Sequence, residues 1–173
     1  MRVKVTTLLV MIFCCSFVFL TSCGGKKGVR EELLTEQQKQ AERDAIVEVL
    51  NHYFEAAQER SWSKMVSTLA DEVTFFGTDS GEVSRSFNDF KNSMQRQWEE
   101  YETFEYGKIQ DLYIELDDYA RYANAIFGTP LTFGRAGEEP QTVFAIFQRT
   151  LNKHPINKNW QIKSGILTIA RTQ

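Results

Sequence analysis

The sequence predicts an α+β domain in which helices come first and an antiparallel sheet follows. Up to about residue 100 the apolar residues recur at the 3.6-residue spacing of amphipathic helices, and from Thr103 onwards they alternate with a period of two. No cysteine follows Cys23, so neither a disulfide nor a thiolate metal site can hold the remaining chain together. Helices followed by hairpin-linked strands are typical of folds in which a layer of helices covers one face of a curved sheet.

The composition fits one modest globular domain. The 173 residues are 42% hydrophobic and 25% charged, which excludes a disordered or fibrous protein. The 20 Lys and Arg residues are outnumbered by 23 Asp and Glu residues, so a globally basic surface for nucleic acid is not expected. We therefore predict no nucleic-acid partner.

The first 22 residues have the pattern of a secretion signal. Arg2 and Lys4 precede an uncharged stretch, residues 5–20, that is short for a membrane-spanning helix. The next tetrapeptide, Leu20-Thr21-Ser22-Cys23, resembles a bacterial lipobox. The resemblance implies that residues 1–22 are a lipoprotein signal peptide and that Cys23 carries a diacylglycerol, with palmitate among the acyl chains. A signal anchor, or a secreted protein with a chance cysteine, is the alternative.

The same resemblance gives an expectation for the mature protein. Residues 23–40 would be the lipidated N-terminus and a tether, and residues 41–173 the folded domain. Because Gly24 is not acidic, the lipid would hold the protein in the cell envelope, at the outer membrane facing the periplasm. Several acyl chains give durable anchoring, since each buried methylene contributes about 0.8 kcal/mol.

Three amphipathic helices are predicted, each with a polar residue at its start. Thr35 and Gln38 have the spacing of a capping box, Ser61 can cap a short second helix, and Ser86 begins a third. The first helix carries one apolar stripe at helical spacing, formed by Ile46, Val49, Leu50, Tyr53, Phe54 and Ala57.

The strands are predicted from alternation and from turn residues. A short strand is expected at residues 73–76, after Asp71 and Glu72 interrupt the apolar pattern. Further strands are expected around residues 112–116, 119–127, 131–133, 143–151 and 160–170.

This order of elements resembles the nuclear transport factor 2-like superfamily, and in particular its SnoaL-like bacterial members. The residues that carry the resemblance lie between Ile46 and Gly81: Tyr53, then Ser61-Trp62, then Leu69-Ala70-Asp71-Glu72-Val73-Thr74-Phe75. The resemblance implies a cone-shaped fold in which a curved mixed or antiparallel sheet and the first helix enclose an apolar cavity. Members include isomerases, cyclases, dehydratases and proteins that only bind, so the fold gives no reaction by itself.

Ketosteroid-isomerase-like proton transfer on this scaffold needs a phenol on the first helix and a carboxylate base at the end of the first strand. Tyr53 matches the phenol, but the base position falls on Gly77, which has no titratable group. Asp79 is the nearby substitute. In the alternative interpretation Asp79 belongs to an Asp-Ser-Gly turn and Tyr53 only packs in the core.

Several aromatic residues are candidates for lining the cavity, although the sequence does not decide which strand face points inward. The predicted ligand-binding residues are Tyr53, Phe75, Trp98, Tyr122, Phe144 and Trp160.

The C-terminal residues 141–173 contain Lys and Arg but no Asp or Glu. These cations either form an anion-attracting face or alternate across two strands and stay solvated. We expect the second arrangement, in which Arg149 and its neighbours are surface residues.

No metal site and no cofactor are predicted, because His52 and His154 are the only histidines and no hydrolase or nucleotide-binding motif occurs. The first hypothesis is therefore a membrane-anchored domain that binds a small, largely apolar molecule without catalysis. One alternative is a proton-transfer enzyme that uses Tyr53 and Asp79. The other is an envelope interaction module that forms a homodimer.

Overall fold

The computed structural model describes residues 33–78 and 82–170. Cys23 and Asp79, and with them the predicted signal peptide and most of the tether, lie outside the described residues. Within those two ranges the elements follow the predicted order of helices before strands. They are α1 (Glu36–Gln58), α2 (Trp62–Val66), β1 (Leu69–Phe76), β2 (Val83–Ser84), α3 (Phe87–Glu100), β3 (Thr103–Tyr106), β4 (Gln110–Leu116), β5 (Tyr122–Gly134), β6 (Gln141–Lys153) and β7 (Trp160–Ile169).

Each helix begins where the capping residues predict. The Gln38 amide donates to Thr35 Oγ1 at 3.3 Å and the Thr35 amide donates to Gln38 Oε1 at 2.8 Å, which completes the capping box. The Ser61 and Ser86 side chains accept backbone amides in the first turns of α2 and α3. The three predicted helix starts are confirmed, because each polar side chain satisfies an amide that has no partner within the helix.

The strands form one curved sheet in the order β2-β1-β7-β6-β5-β3, and β4 also pairs with β5. The β1–β7 pair is parallel and the other pairs are antiparallel. The sheet is mixed and does not close on itself. The predicted α+β class, with helices packed on a curved sheet, is confirmed.

The first strand starts earlier than predicted. Leu69 pairs with Ile162, and the ladder is then irregular until Thr74 pairs with Ser164. Asp71 and Glu72 lie exposed within this irregular stretch. They do not end the apolar pattern, because a bulged strand can leave two acidic side chains in water and continue pairing.

Strand β5 is one continuous element, and the predicted break between residues 127 and 131 is wrong. Pro130 is paired with Phe144 inside this strand. The Pro130 carbonyl accepts a hydrogen bond from the Gly107 amide at 2.7 Å. Gly107 lies in the segment between β3 and β4, which both pair with this side of β5. Because a residue's N–H and C=O point to the same side of a strand, the missing proline N–H faces that gap and no ladder bond is lost.

The core lies between α1 and the concave face of the sheet. The predicted stripe of α1 is buried there, with Val49 partly buried at its edge. Alternate residues of the two longest strands face the helix: Ala123, Ala125 and Phe127 from β5, and Ala145, Phe147, Arg149 and Leu151 from β6.

Two polar side chains, Glu42 and Arg60, tie the helices to neighbouring parts of the fold. Glu42 on α1 binds the Lys153 ammonium and accepts the Trp160 indole N–H at 2.8 Å, which ties α1 to the adjoining ends of β6 and β7. The Arg60 guanidinium donates to the carbonyls of Trp98, Tyr101 and Glu102 at 2.7–2.8 Å. A cation is favourable there, because carbonyls at a helix C-terminus lack partners within the helix.

Candidate functional site

A cavity of about 60 Å³ lies between α1, α3 and the concave face of β1, β6 and β7. Its wall combines aromatic and aliphatic side chains with a few polar groups. The lining residues are Tyr53, Phe75, Phe76, Gly77, Glu82, Ser84, Phe90, Ser93, Met94, Gln97, Tyr106, Phe147, Arg149 and Leu167.

Arg149 brings a buried positive charge to this cavity. Its side chain is 4% exposed, and none of the ion pairs among the described residues involves it. The guanidinium carbon lies 4.7 Å from the ring centre of Phe147, 5.2 Å from that of Phe75 and 5.6 Å from that of Tyr53. Aromatic faces therefore surround the charge and partly replace water.

The guanidinium makes few hydrogen bonds to the backbone, and they are long. Nη1 donates to the backbone carbonyls of Gln148 at 3.2 Å and Ile166 at 3.4 Å. Nε is buried and has no hydrogen-bond partner in the described part of the chain. Buried polar atoms without partners are rare in folded proteins, and strain, a functional role, or a bound water or ion can account for one. Trp98 Nε1 and Asn152 Oδ1, which lie outside the cavity wall, are two others among the described residues.

Two small residues make room for the guanidinium. Arg149 is paired with Ala125 on β5 and with Gly165 on β7. A Cβ atom at Gly165 would lie 2.2 Å from Arg149 Nη1 and 2.8 Å from Cζ, so no larger residue fits while the arginine keeps its position. The neighbours of Arg149 in the sheet thus form a cradle for its side chain.

Two phenols share the cavity with this arginine. Burial raises the pKa of Tyr53, and the charge of Arg149 and a hydrogen bond between the two side chains act in the opposite direction with smaller effects. Burial also raises the pKa of Tyr106. Both phenols therefore keep their protons at neutral pH and can donate hydrogen bonds. Burial lowers the pKa of Arg149, while the two tyrosines oppose that change.

The position that the resemblance assigns to a catalytic base is a glycine on the cavity wall. A Cβ atom at Gly77 would lie 2.2 Å from Glu82 Oε2, so the Glu82 carboxylate occupies the space of a side chain at that position. That oxygen accepts the Thr78 amide at 2.8 Å and the Thr78 hydroxyl at 3.2 Å. Glu82 is thus the acidic residue that the described lining places at this end of the cavity, and no sequence pattern pointed to it.

The predicted ligand-binding residues divide into two groups. Tyr53 and Phe75 line the cavity together. Trp98 is partly buried against the core but is not part of the cavity wall, and Trp160 is buried at the other end of α1, bonded to Glu42. Tyr122 is exposed. Phe144 lies over Gly128 and belongs to the outward-facing set of β6.

The expectation that Arg149 stays solvated is wrong. The residues of β6 that point into the core are Val143, Ala145, Phe147, Arg149 and Leu151, every second position. A period of two counted from these apolar residues places Arg149 inside the domain. That pattern was the available sequence signal, whereas Phe144 belongs to the opposite face.

The described residues contain no group of three or more His, Cys, Asp or Glu side chains that could hold a metal ion. His52 is exposed, and His154 Nδ1 accepts backbone amides of its own turn. In the part of the chain that the structure describes, every helix is too short or too polar to cross a membrane.

Comparison with known proteins gives a family and a fold. A family model described as SnoaL-like domain matches residues 46–154. The hexachlorocyclohexane dehydrochlorinase LinA-type3 from Novosphingobium barchaimii LL02 superposes with a TM-score of 0.69 and 12% identity, covering 80% of this chain and 93% of that one. A nuclear transport factor 2-like superfamily protein from Salmonella enterica serovar Typhimurium LT2 gives a TM-score of 0.67 and 15% identity, covering 78% and 96%. At such identities the likeness establishes the fold alone. A search of curated proteins gave no significant match.

Replacing Arg149 with methionine should stabilise the protein in the absence of ligand. The change removes a buried charge that no acid compensates while keeping most of the side-chain volume, so we expect the free energy of unfolding to rise by about 1–3 kcal/mol. Gly165→Ala should lower it by about 1–3 kcal/mol, because the new methyl group overlaps the guanidinium. Urea denaturation followed by tryptophan fluorescence measures both effects.

The double variant provides the control for this prediction. If Gly165 accommodates Arg149, Gly165→Ala should lower the free energy of unfolding less in the Arg149→Met background than in the wild type. We expect the two decreases to differ by at least about 1 kcal/mol. Equal losses in both backgrounds, or a marked loss of stability in Arg149→Met alone, would contradict the cradle described above.

Proposed function

The chain belongs to the SnoaL-like domain family, and on that premise we propose that it is a membrane-anchored protein that binds a small, largely apolar molecule in its cone-shaped cavity without transforming it. The observation that carries this proposal is the cavity beneath α1, whose wall is rich in aromatic rings. A concave, mostly preformed site with a few converging polar groups is the usual form of a small-molecule site.

The packing around the cavity supports binding of a flat or compact apolar group. Phe75 and Phe90 are stacked with ring centres 4.1 Å apart, and Phe54 stacks on Tyr106 at 4.2 Å. Because these rings are fixed by their neighbours, a ligand would meet a preorganised surface and would order few side chains on binding.

The residues at the base position favour binding over catalysis. Gly77 provides no proton acceptor, and the nearby Glu82 carboxylate is engaged by the Thr78 amide and hydroxyl. A proton-transfer enzyme that uses Tyr53 with Asp79 remains the rival function. The dehydrochlorinase activity of the similar structure is a property of that protein, and 12% identity gives no ground to assign it to this chain.

The anchoring part of the proposal rests on the lipobox-like segment Leu20-Thr21-Ser22-Cys23. Cleavage before Cys23 and lipidation of its thiol would tether the domain to a bacterial membrane through residues 23–40. The outer membrane facing the periplasm is the proposed location, because Gly24 follows the cysteine.

Filling the cavity should abolish binding. Ser93 lines the cavity from α3, whereas Asn92 on the same helix is exposed, so Ser93→Phe and Asn92→Phe are matched variants. The full chain in nanodiscs would be tested by ligand-observed NMR against toluene, phenol, cyclohexanone, benzamide and benzoate. We expect Ser93→Phe to weaken every observed binding by about tenfold or more and Asn92→Phe to change it by less than about twofold. Absence of binding across the panel would contradict the proposal.

Replacing Cys23 should abolish lipidation of the protein. In bacterial cells fed an alkyne analogue of palmitate, the wild-type chain should incorporate label and sediment with membranes. Cys23→Ala should lose the label, because the thiol that forms the thioether is absent. Cys15→Ala, in the uncharged stretch, is the control and should label normally. Labelling of Cys23→Ala at the wild-type level would refute lipidation at this residue.

A second candidate function, homodimerisation, is favoured by one feature of the convex sheet face. An exposed row crosses five strands in register, and all but one of its residues are apolar. The row is Tyr113, Ile126, Gln148, Ile166 and Phe76. Contiguous exposed apolar surface of this kind is typical of protein–protein contacts, and a second copy offers an identical flat face.

Cross-linking would test this dimer. The sequence contains no cysteine after Cys23, so Gln148→Cys places one thiol at the centre of the row and Ile156→Cys places one on an exposed turn outside it. Mild oxidation in membranes should link Gln148→Cys into a covalent dimer, and adding Ile126→Glu should suppress the link by desolvating a charge at the contact. Equal linking of Gln148→Cys and Ile156→Cys would indicate random collision.

A further inference from the structure

The cavity holds a cation that the protein's own fold leaves incompletely paired. Arg149 is 4% exposed, forms none of the ion pairs among the described residues, and has a buried Nε without a hydrogen-bond partner. Its two backbone hydrogen bonds are long, at 3.2 and 3.4 Å. A guanidinium in such surroundings is desolvated, and an anion with matching geometry would complete its coordination.

The position of the arginine is built into the sheet. Gly165 leaves space for Nη1, which a Cβ atom there would approach to 2.2 Å, and the guanidinium carbon lies 4.7 Å and 5.2 Å from the ring centres of Phe147 and Phe75. A side chain fixed in this way loses little freedom when a ligand binds, so more of the interaction appears as affinity.

We propose that Arg149 binds the carboxylate of a small organic acid whose apolar part lies against the aromatic wall of the cavity, and this inference rests on the binding function proposed above. The Tyr53 and Tyr106 phenols line the same cavity and donate hydrogen bonds to the acid's second oxygen. A carboxylate suits the planar guanidinium because two parallel N–H···O bonds can form.

Charge favours a monocarboxylate over phosphate or a dicarboxylate. Among the described residues that line the cavity of about 60 Å³, Arg149 is the one cation, so the second charge of a phosphate or diacid would be buried without compensation. Glu82, at the Gly77 end, adds a negative charge that further disfavours a second anionic group.

Matched acids and amides test this inference, because each pair differs in charge and hardly in shape. Isothermal titration of the full chain in nanodiscs would compare benzoate with benzamide and butyrate with butyramide. We expect each acid to bind at least about tenfold more tightly than its amide. In Arg149→Met the acid should fall to the affinity of the amide, and the amide should change by less than about threefold. Lys163→Met removes an exposed cation outside the cavity and should keep the preference for acid.

A second measurement does not depend on the folding of a variant. The Nε–H resonance of Arg149 in a ¹⁵N-correlation spectrum of the wild-type protein should shift with benzoate and stay in place with benzamide. Equal affinity for acid and amide in the wild-type protein, or an acid preference that survives in Arg149→Met, would overturn the carboxylate site and leave the binding function standing. If neither member of any pair binds, both proposals fail. Tighter binding of inorganic phosphate than of either acid would overturn the monocarboxylate assignment.

Discussion

The long antiparallel ladder between β5 and β6 determines where the cavity lies and what it contains. It runs from the Tyr122–Asn152 pair to the Phe133–Gln141 pair, and β7 continues the register on the far side of β6. Because side chains alternate between the two faces of a strand, a shift of one residue would exchange the whole set that faces α1. Ile146 and Gln148 would then enter the core, and Phe147 and Arg149 would leave it. This register therefore places both Phe147, which belongs to the aromatic wall, and the buried cation Arg149 on the face that packs against α1.

A buried arginine without an acidic partner is an unfavourable element in an apolar core, and the structure limits that cost by several small interactions. The rings of Phe147, Phe75 and Tyr53 present their negative faces to the guanidinium. Two carbonyls accept hydrogen bonds, and Gly165 avoids a steric conflict. These contacts do not replace a counter-ion, since the desolvation of one charge amounts to several kcal/mol. A buried charge in such surroundings is better explained by binding than by stability, because function and stability commonly oppose each other at sites of this kind.

The fold could be predicted largely from local signals, since those signals act over a few residues. Thr35, Ser61 and Ser86 satisfy amides in their own first turns, so the caps can be read directly from the sequence. The predicted break between residues 127 and 131 is wrong because the tolerance of β5 for Pro130 depends on a distant feature, the place where β3 ends and β4 begins opposite β5. A proline is a strand breaker only where its missing N–H would have met a partner.

Only some of the residues that line the cavity were predicted, because the side of the sheet on which a strand residue lies depends on the strand's phase and not on its residue type. Tyr53 and Phe75 lie on elements whose inward face is fixed by a helical stripe and by a short buried strand, and both line the cavity. Tyr122 and Phe144 were selected as aromatic residues without regard to strand phase, and they lie on the outward-facing sets of β5 and β6. Arg149 was assigned to the surface from its charge, although every second residue around it is apolar. Residue type gave the wrong answer where periodicity gave the right one.

The arrangement of charge within the cavity also bears on how a ligand would be oriented. Arg149 lies deep, on the central strand of the sheet, whereas Glu82 lies beside Gly77 where β1 ends, with its carboxylate held by Thr78. A molecule with one carboxylate can place that group on the arginine and its apolar part against Phe75 and Phe90, which avoids Glu82. Reversal would bring like charges together and leave the guanidinium desolvated. The two charged residues therefore favour one orientation of a bound monocarboxylate, with its carboxylate on Arg149 and away from Glu82.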